Sequence, residues 1–208
     1  MANTLFAAEP GWRARLQAVR PFICPFDRVL PWIPASATVL DVGCGAGLVL
    51  GLLASTGRMS PAVGIDADTN ALQRAVRMAE RMRFAHLEFR RTMDPADWPT
   101  ASFDCVLLID VLHHIASRAQ NGFLLAVLDR VRPGGRFVYK DMAARPILHA
   151  IANRAHDLLM ARQWISYVAP DVVAQVAESR GFVLTHREHV RRYWYAHDLL
   201  VFEKSGVR

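Results

Sequence analysis

Only three of the 208 residues are cysteine, none of them in a Cys-x-x-Cys pair, and three thiols cannot all pair within one chain. A disulfide framework is therefore excluded. Cys24, Cys44 and Cys105 are expected reduced, Cys105 as plain core, which fits a cytoplasmic protein. A long apolar run is also lacking. The most apolar uncharged window, Val42 to Gly57, falls short of the roughly 20 residues that span a bilayer and is broken by glycines, so it reads as a buried helix and no membrane span is expected. The start, Met1 to Leu5, has no basic stretch leading into an apolar one, so secretory targeting finds no support. Internal repeats, low-complexity tracts and Gly/Ser linkers are absent too, which removes solenoids and tethered domain pairs.

What remains is ordinary globular composition: 52% hydrophobic and 21% charged residues, enough for one domain with a sizeable core. The formal charge of +6 comes from arginine, dense at Arg13, Arg15 and Arg20, from Arg74 to Arg91, and at Arg187, Arg191 and Arg192. An acidic acceptor, an acyl carrier protein or RNA would suit that field; solvated helix faces account for it equally. Five prolines punctuate the first 36 residues, which are expected to form a short helical cap ahead of the domain proper, residues 37–208.

From Thr38 onward, short apolar runs alternate with helical patterns. The runs are Thr38 to Val42, Ala62 to Ile65, Leu87 to Arg90, Cys105 to Ile109 and Arg136 to Lys140. Ala71, Leu72, Ala75, Val76 and Ala79 keep a helical period, and Phe123 to Val131 repeats it. This is the pattern of an α/β fold with a parallel sheet and crossover helices. Arg132-Pro133-Gly134-Gly135 is expected to stop a helix and turn the chain into the fifth strand. Phe182 to Thr185 and Leu199 to Glu203 are expected as two last strands, separated by a long connection and closing the sheet edge as an antiparallel pair.

Chemistry gathers at the strand ends. Val39-Leu40-Asp41-Val42-Gly43-Cys44-Gly45-Ala46-Gly47 is a buried strand running into a glycine turn and then a helix. Glycines admit close backbone approach to a ligand, and a helix N-terminus offers free amide donors. A nicotinamide loop reads G-x-G-x-x-G. Counted from Gly43, Leu48 stands where its last glycine belongs, so a dehydrogenase is disfavoured.

The segment resembles motif I of the class I S-adenosylmethionine methyltransferases. The resemblance covers about Ala37 to Asp141 and, more loosely, Trp164 to Lys204; the first 36 residues and Met142 to Gln163 lie outside it. It implies a Rossmann-like, mostly parallel seven-stranded sheet with an antiparallel last strand and S-adenosyl-L-methionine as cofactor. The loop of Gly43, Cys44, Gly45 and Gly47 would pack against the methionine portion, oriented by Asp41. Asp66, with Ala67 after it, would take the ribose diol. The family's acid for the adenine amino group falls on Met93; either Asp94 fills that role one residue later or Met93 gives only apolar contact. Ser102 to Ile115 and Arg132-Pro133-Gly134-Gly135 resemble the family's fourth strand and the lead into its fifth.

Methyl transfer from a sulfonium requires an acceptor held in line and, for oxygen, loss of its proton. Asp110, His113 and His114 sit where the fourth strand opens toward the methyl group. Either histidine suits a general base, and either equally suits a structural role hydrogen-bonded to backbone. On one helical turn, positions 110, 113 and 114 would share a face and could hold a metal. The match to the family's Glu-x-x-Glu-His is partial, only Asp141 or His149 could complete it, and no metal is expected. Neither an Asn/Asp-Pro-Pro-aromatic nor a Pro-Cys follows the fourth strand, which lowers the weight of DNA base methylation. A helix at Ile147 to Met160, within an expected lid insertion at 143–167, would shape the acceptor site, with Tyr139, His149, Trp164 and Tyr167 as candidate substrate contacts. The expectation is methyl transfer to a small organic acceptor, hydrophobic or aromatic, at oxygen. An RNA or protein methyltransferase, or a binding module without turnover, are the alternatives.

Overall fold

The computed structural model describes residues 4–5, 24–57, 61–143, 166–193 and 195–206. Seven strands form one sheet: β1 Val39–Val42, β2 Ala62–Asp66, β3 Leu87–Arg91, β4 Phe103–Ile109, β5 Val131–Met142, β6 Phe182–Arg192 and β7 Tyr195–Lys204. Their order is β3-β2-β1-β4-β5-β7-β6, parallel through β5, with β7 antiparallel to both β5 and β6. Strand order reverses between β1 and β4, and open α/β sheets bind ligands in the crevice beyond the carboxyl ends at such a reversal.

Alternation along the strands builds two cores. Val39, Cys105, Leu107 and Val138 face one side, under α1 (Phe26–Val29), α2 (Leu48–Ser55) and α3 (Thr69–Met82). Leu40, Val106, Leu108 and Phe137 face the other, under α4 (Ser117–Asp129) and α5 (Pro170–Ser179). Helix α2 is apolar on every side and buried from Leu48 to Ala54, as a helix wholly inside a core must be. By contrast α3 buries only Ala71, Leu72, Ala75, Met78 and Ala79, one stripe at helical spacing. The Asp68 carboxylate caps it by accepting from the Asn70 and Ala71 N–H groups at 2.8 and 3.2 Å. Cys105, fully buried, is core as expected, and burial pushes its thiol up to about 12.

Two expectations change. Arg132-Pro133-Gly134-Gly135 does not stop the helix: α4 ends at Asp129, and the four residues bulge within β5, where Phe103 pairs with Val131 but Cys105 with Arg136. The long connection between the last strands is strand instead. β6 and β7 run 11 and 10 residues and pair as far as Arg192 and Tyr195. β6 is an edge strand whose His186, Glu188 and Arg192 find polar or aromatic partners in Trp32, Arg28 and Asp27, so its period-2 alternation carries no apolar signature.

At the opposite end of the sheet, Asp104 joins β4 to the start of β1. It accepts from the Thr38 hydroxyl at 2.6 Å and the Thr38 N–H at 2.8 Å and also pairs with Arg132. The Thr38 bonds, then Arg132, hold its carboxyl below the usual range. With the folded value depressed, this contribution is complete above the unfolded carboxyl value and is lost as pH falls through the folded one. Asp104→Asn is thus expected to destabilise at neutral pH and to converge on wild type in strong acid. Urea unfolding across pH checks it, and a pH-independent difference would refute it.

Candidate active site

The loop after β1 sits at the reversal of strand order and holds itself in shape. The Gly43 and Cys44 N–H groups both donate to the Ile65 carbonyl, at 2.8 and 3.0 Å, the Gly47 N–H to Cys44 O at 2.9 Å, and the Gly45 N–H to the Asp66 carboxylate at 2.7 Å. These four loop amides are spent inside the protein. Glycine itself has an internal reason. At Gly43, φ is +76° and a Cβ would fall 2.3 Å from Val111 Cγ2; at Gly47 a Cβ would meet the Phe89 ring at 2.9 Å. Both positions are closed to a side chain by the protein's own core.

Beyond the loop a cleft of about 490 Å³ opens along the ends of β1, β2 and β4, within the size range of small-molecule sites. Gly43, Gly45, Asp66, Ala67, Met93, Asp110 and His114 line it, with apolar surface from Ile65, Val111, Trp98 and Phe123. Each Asp66 oxygen accepts one backbone N–H, from Gly45 or from Asp68 at 2.8 Å, and a carboxylate keeps acceptor capacity for more donors.

Two polar pairs stand at the back of the cleft on opposite faces of the sheet. Asp110, with φ of 57°, turns its carboxylate onto the Lys140 ammonium at 2.6 and 2.8 Å, and Cys24 Sγ lies 3.2 Å from that nitrogen. Burial works against charge on Lys140, yet Asp110 and Cys24 outweigh it and hold its value above the usual lysine one. One residue along β5, Asp141 pairs with His113 Nδ1, while its Oδ2 accepts the His113 N–H at 3.2 Å and the Tyr139 hydroxyl at 3.4 Å. Burial first, and Asp141 second, hold the Tyr139 phenol well above its ordinary value, so it stays a neutral donor. His114 is exposed on the cleft, its ring 4.0 Å from that of His113.

The methyltransferase domain family matches residues 14–187 of this chain. The chain belongs to the class I S-adenosylmethionine-dependent methyltransferases. It is 28% identical over 196 residues to a ubiquinone biosynthesis O-methyltransferase of Methylocella silvestris, covering 88% of this chain and 66% of that protein. To a demethylmenaquinone methyltransferase of Tropheryma whipplei it is 33% identical over 178 residues, covering 85% and 68%. The methyltransferase chain therefore spans about two thirds of the length of these relatives. Its fold matches an O-methyltransferase family protein from Burkholderia thailandensis with a TM-score of 0.75 at 20% identity, over 100% of this chain and 64% of that one. It also matches magnesium protoporphyrin IX methyltransferase from Synechocystis with bound S-adenosylhomocysteine, with a TM-score of 0.74 at 17% identity, over 96% and 91%.

The family's cofactor fits this cleft chemically, because the Asp66 carboxylate, with acceptor capacity to spare, stands next to apolar surface from Ile65, Val111, Trp98 and Phe123. The methyltransferase brings Gly43, Gly45, Asp66, Ala67, Met93, Asp110 and His114 together and places the other described candidates elsewhere. Asp41 is 2% exposed beneath the loop, and Gly47 is packed on Phe89. The Cys44 side chain turns into the core, where burial and then Asp41 and Asp66 push its thiol well up. Met93 is 72% exposed, whereas Asp94 caps the turn Pro95–Asp97 by accepting from the Ala96 N–H. Tyr139 is core, 1% exposed, and away from the cleft; Tyr167 stacks on His113. The shared helical face for Asp110, His113 and His114 does not form. Asp110 lies in the bend just after β4, only Leu112–His114 is helical, and among the described residues no group of three or more His/Cys/Asp/Glu could hold a metal. His149, Trp164 and the expected helix from Ile147 lie outside the described residues. Lys140, Asp141 and Cys24 went unread as partners, although two adjacent charges ending an apolar strand were a visible signal.

Proposed function

We propose that this chain transfers the methyl group of S-adenosylmethionine to a hydroxyl oxygen of a small apolar or aromatic acceptor, with His114 as general base. The observation that carries the proposal is the division of labour in the histidine pair. His113 is 3% exposed and held by Asp141, while His114 opens onto the cleft between Val111 and Ile115. The cofactor supplies an electrophilic methyl group on sulfur. Asp66 would accept from the ribose hydroxyls, Ala67 and Met93 would stand beside the base, and Gly43 and Gly45 would take the methionine end. His114 takes the acceptor proton as the oxygen–carbon bond forms and the carbon–sulfur bond breaks, leaving the electron pair on the thioether sulfur. Apolar walls at Trp98, Ile115 and Phe123 favour an apolar or aromatic acceptor, and two relatives are named for quinone pathways.

The arginine excess supports this reading over RNA binding. Arg90, Arg132, Arg136, Arg180, Arg187 and Arg192 are each paired with a carboxylate. Guanidinium groups so paired are drawn away from phosphate contacts, and RNA binding through such contacts would fall steeply with salt. The test is turnover with labelled S-adenosylmethionine on catechols and hydroquinones with and without prenyl tails. An O-methyl product formed best on a tailed acceptor is expected; methylation at carbon or nitrogen, or of RNA alone, would overturn the proposal.

A further inference from the structure

Three cysteines sit in three electrostatic settings, and only one has an amine beside it. Cys44 faces the Asp41 and Asp66 carboxylates, and Cys105 is sealed in the core, so both thiols are held in the neutral form. Cys24 lies 3.2 Å from Lys140 Nζ and 3.4 Å from Asp110 Oδ2. Reactive cysteines are those with a cationic neighbour that favours the thiolate. Neither Cys24 nor Lys140 has a part in the methyl transfer described above, and both are buried, at 3% and 0% exposure. Their enclosure keeps sulfur and nitrogen in contact and excludes bulky oxidants and reductants, while dioxygen is small and apolar enough to reach them.

We infer that Cys24 and Lys140 are a modification site, joined through one oxygen atom into an N–O–S cross-link when dioxygen is present. The thiol, the ammonium, the Asp110 carboxylate and one dioxygen give the N–O–S link, a protonated Asp110 and one water. Sulfur and nitrogen together lose four electrons, one oxygen atom enters the bridge and the other leaves in water. The S–H and two N–H bonds break together with the O–O bond, and one proton passes to Asp110, which lies within 2.8 Å of the nitrogen. Lys140 then carries no charge, so Asp110 on the cleft wall loses its counter-ion. Cys24 also becomes covalently tied to β5 across 116 positions of chain.

High-resolution intact mass of the full chain, purified without oxygen and then held in oxygen-saturated buffer, tests the inference. One oxygen gained and two hydrogens lost should add about 14 Da, reversed by dithiothreitol once denaturant opens the site. A methyl group adds nearly the same mass, so fragmentation must show the peptides of Cys24 and Lys140 joined. Titratable thiols in denaturant should fall from three to two. Cys24→Ser and Lys140→Arg should both lack the gain, and the peptide map of wild type stands if either variant fails to fold. No gain in wild type, a gain retained in Cys24→Ser, or oxygen on Cys24 without Lys140 would overturn the inference.

Discussion

Asp66→Ala is expected to weaken binding of S-adenosylmethionine and S-adenosylhomocysteine alike by at least two orders of magnitude. The carboxylate stands at the C-terminal end of β2 with each oxygen already anchored by one backbone N–H, from Gly45 and from Asp68. That anchoring fixes its direction before any ligand arrives. Two ribose hydroxyls donating to it would contribute roughly 1.5 to 3 kcal/mol each, so removal should weaken binding by about 10² to 10⁴-fold. The Gly45 anchor is lost as well, which lets the loop relax and adds to the effect. Calorimetry with both ligands measures it, with the melting temperature as a check on the fold. Asp66→Asn keeps the shape and one acceptor and should fall between the two. An unchanged affinity in a folded Asp66→Ala protein would remove this carboxylate from the site and the cleft from the cofactor.

Turnover is the second quantity expected to fall far. His114→Asn removes the imidazole on the cleft wall while Asp141 still holds His113, so the turn Leu112–His114 keeps its anchor. General bases contribute about 10² to 10⁴-fold, and the loss should be in kcat, with cofactor affinity held. His113→Asn should behave differently. It takes the ring nitrogen from Asp141 Oδ1 while Asp141 keeps the residue 113 N–H and the Tyr139 hydroxyl, and a buried acceptor left short of a donor costs about 1 to 3 kcal/mol, so its main effect belongs in the melting temperature. Equal activity of His114→Asn and wild type would mean that positioning alone drives the reaction. The acceptor would then be a group already nucleophilic, such as a thiol or an amine.

The sequence by itself determined the order of strands and crossover helices, the loop of Gly43 to Gly47 and the strand-end position of Asp66, because each is local. Hydrophobic period, turn residues and spacing along one strand and its following helix settle them within a few residues. It could not say what those residues touch. Gly43 and Gly47 read as room for a ligand, but Val111 and Phe89, 68 and 42 positions away, fill that room. Asp110, His113 and His114 read as one face of a helical turn. The tertiary structure decided otherwise through the register of β4 on β5, which sets Ile109 opposite Lys140. Successive strand side chains point to opposite faces, so Lys140 draws Asp110 to one side of the sheet and Asp141 draws His113 to the other. Asp110 still lines the cleft with its carboxylate turned onto Lys140, His113 is buried on Asp141, and His114 is the most exposed of the three.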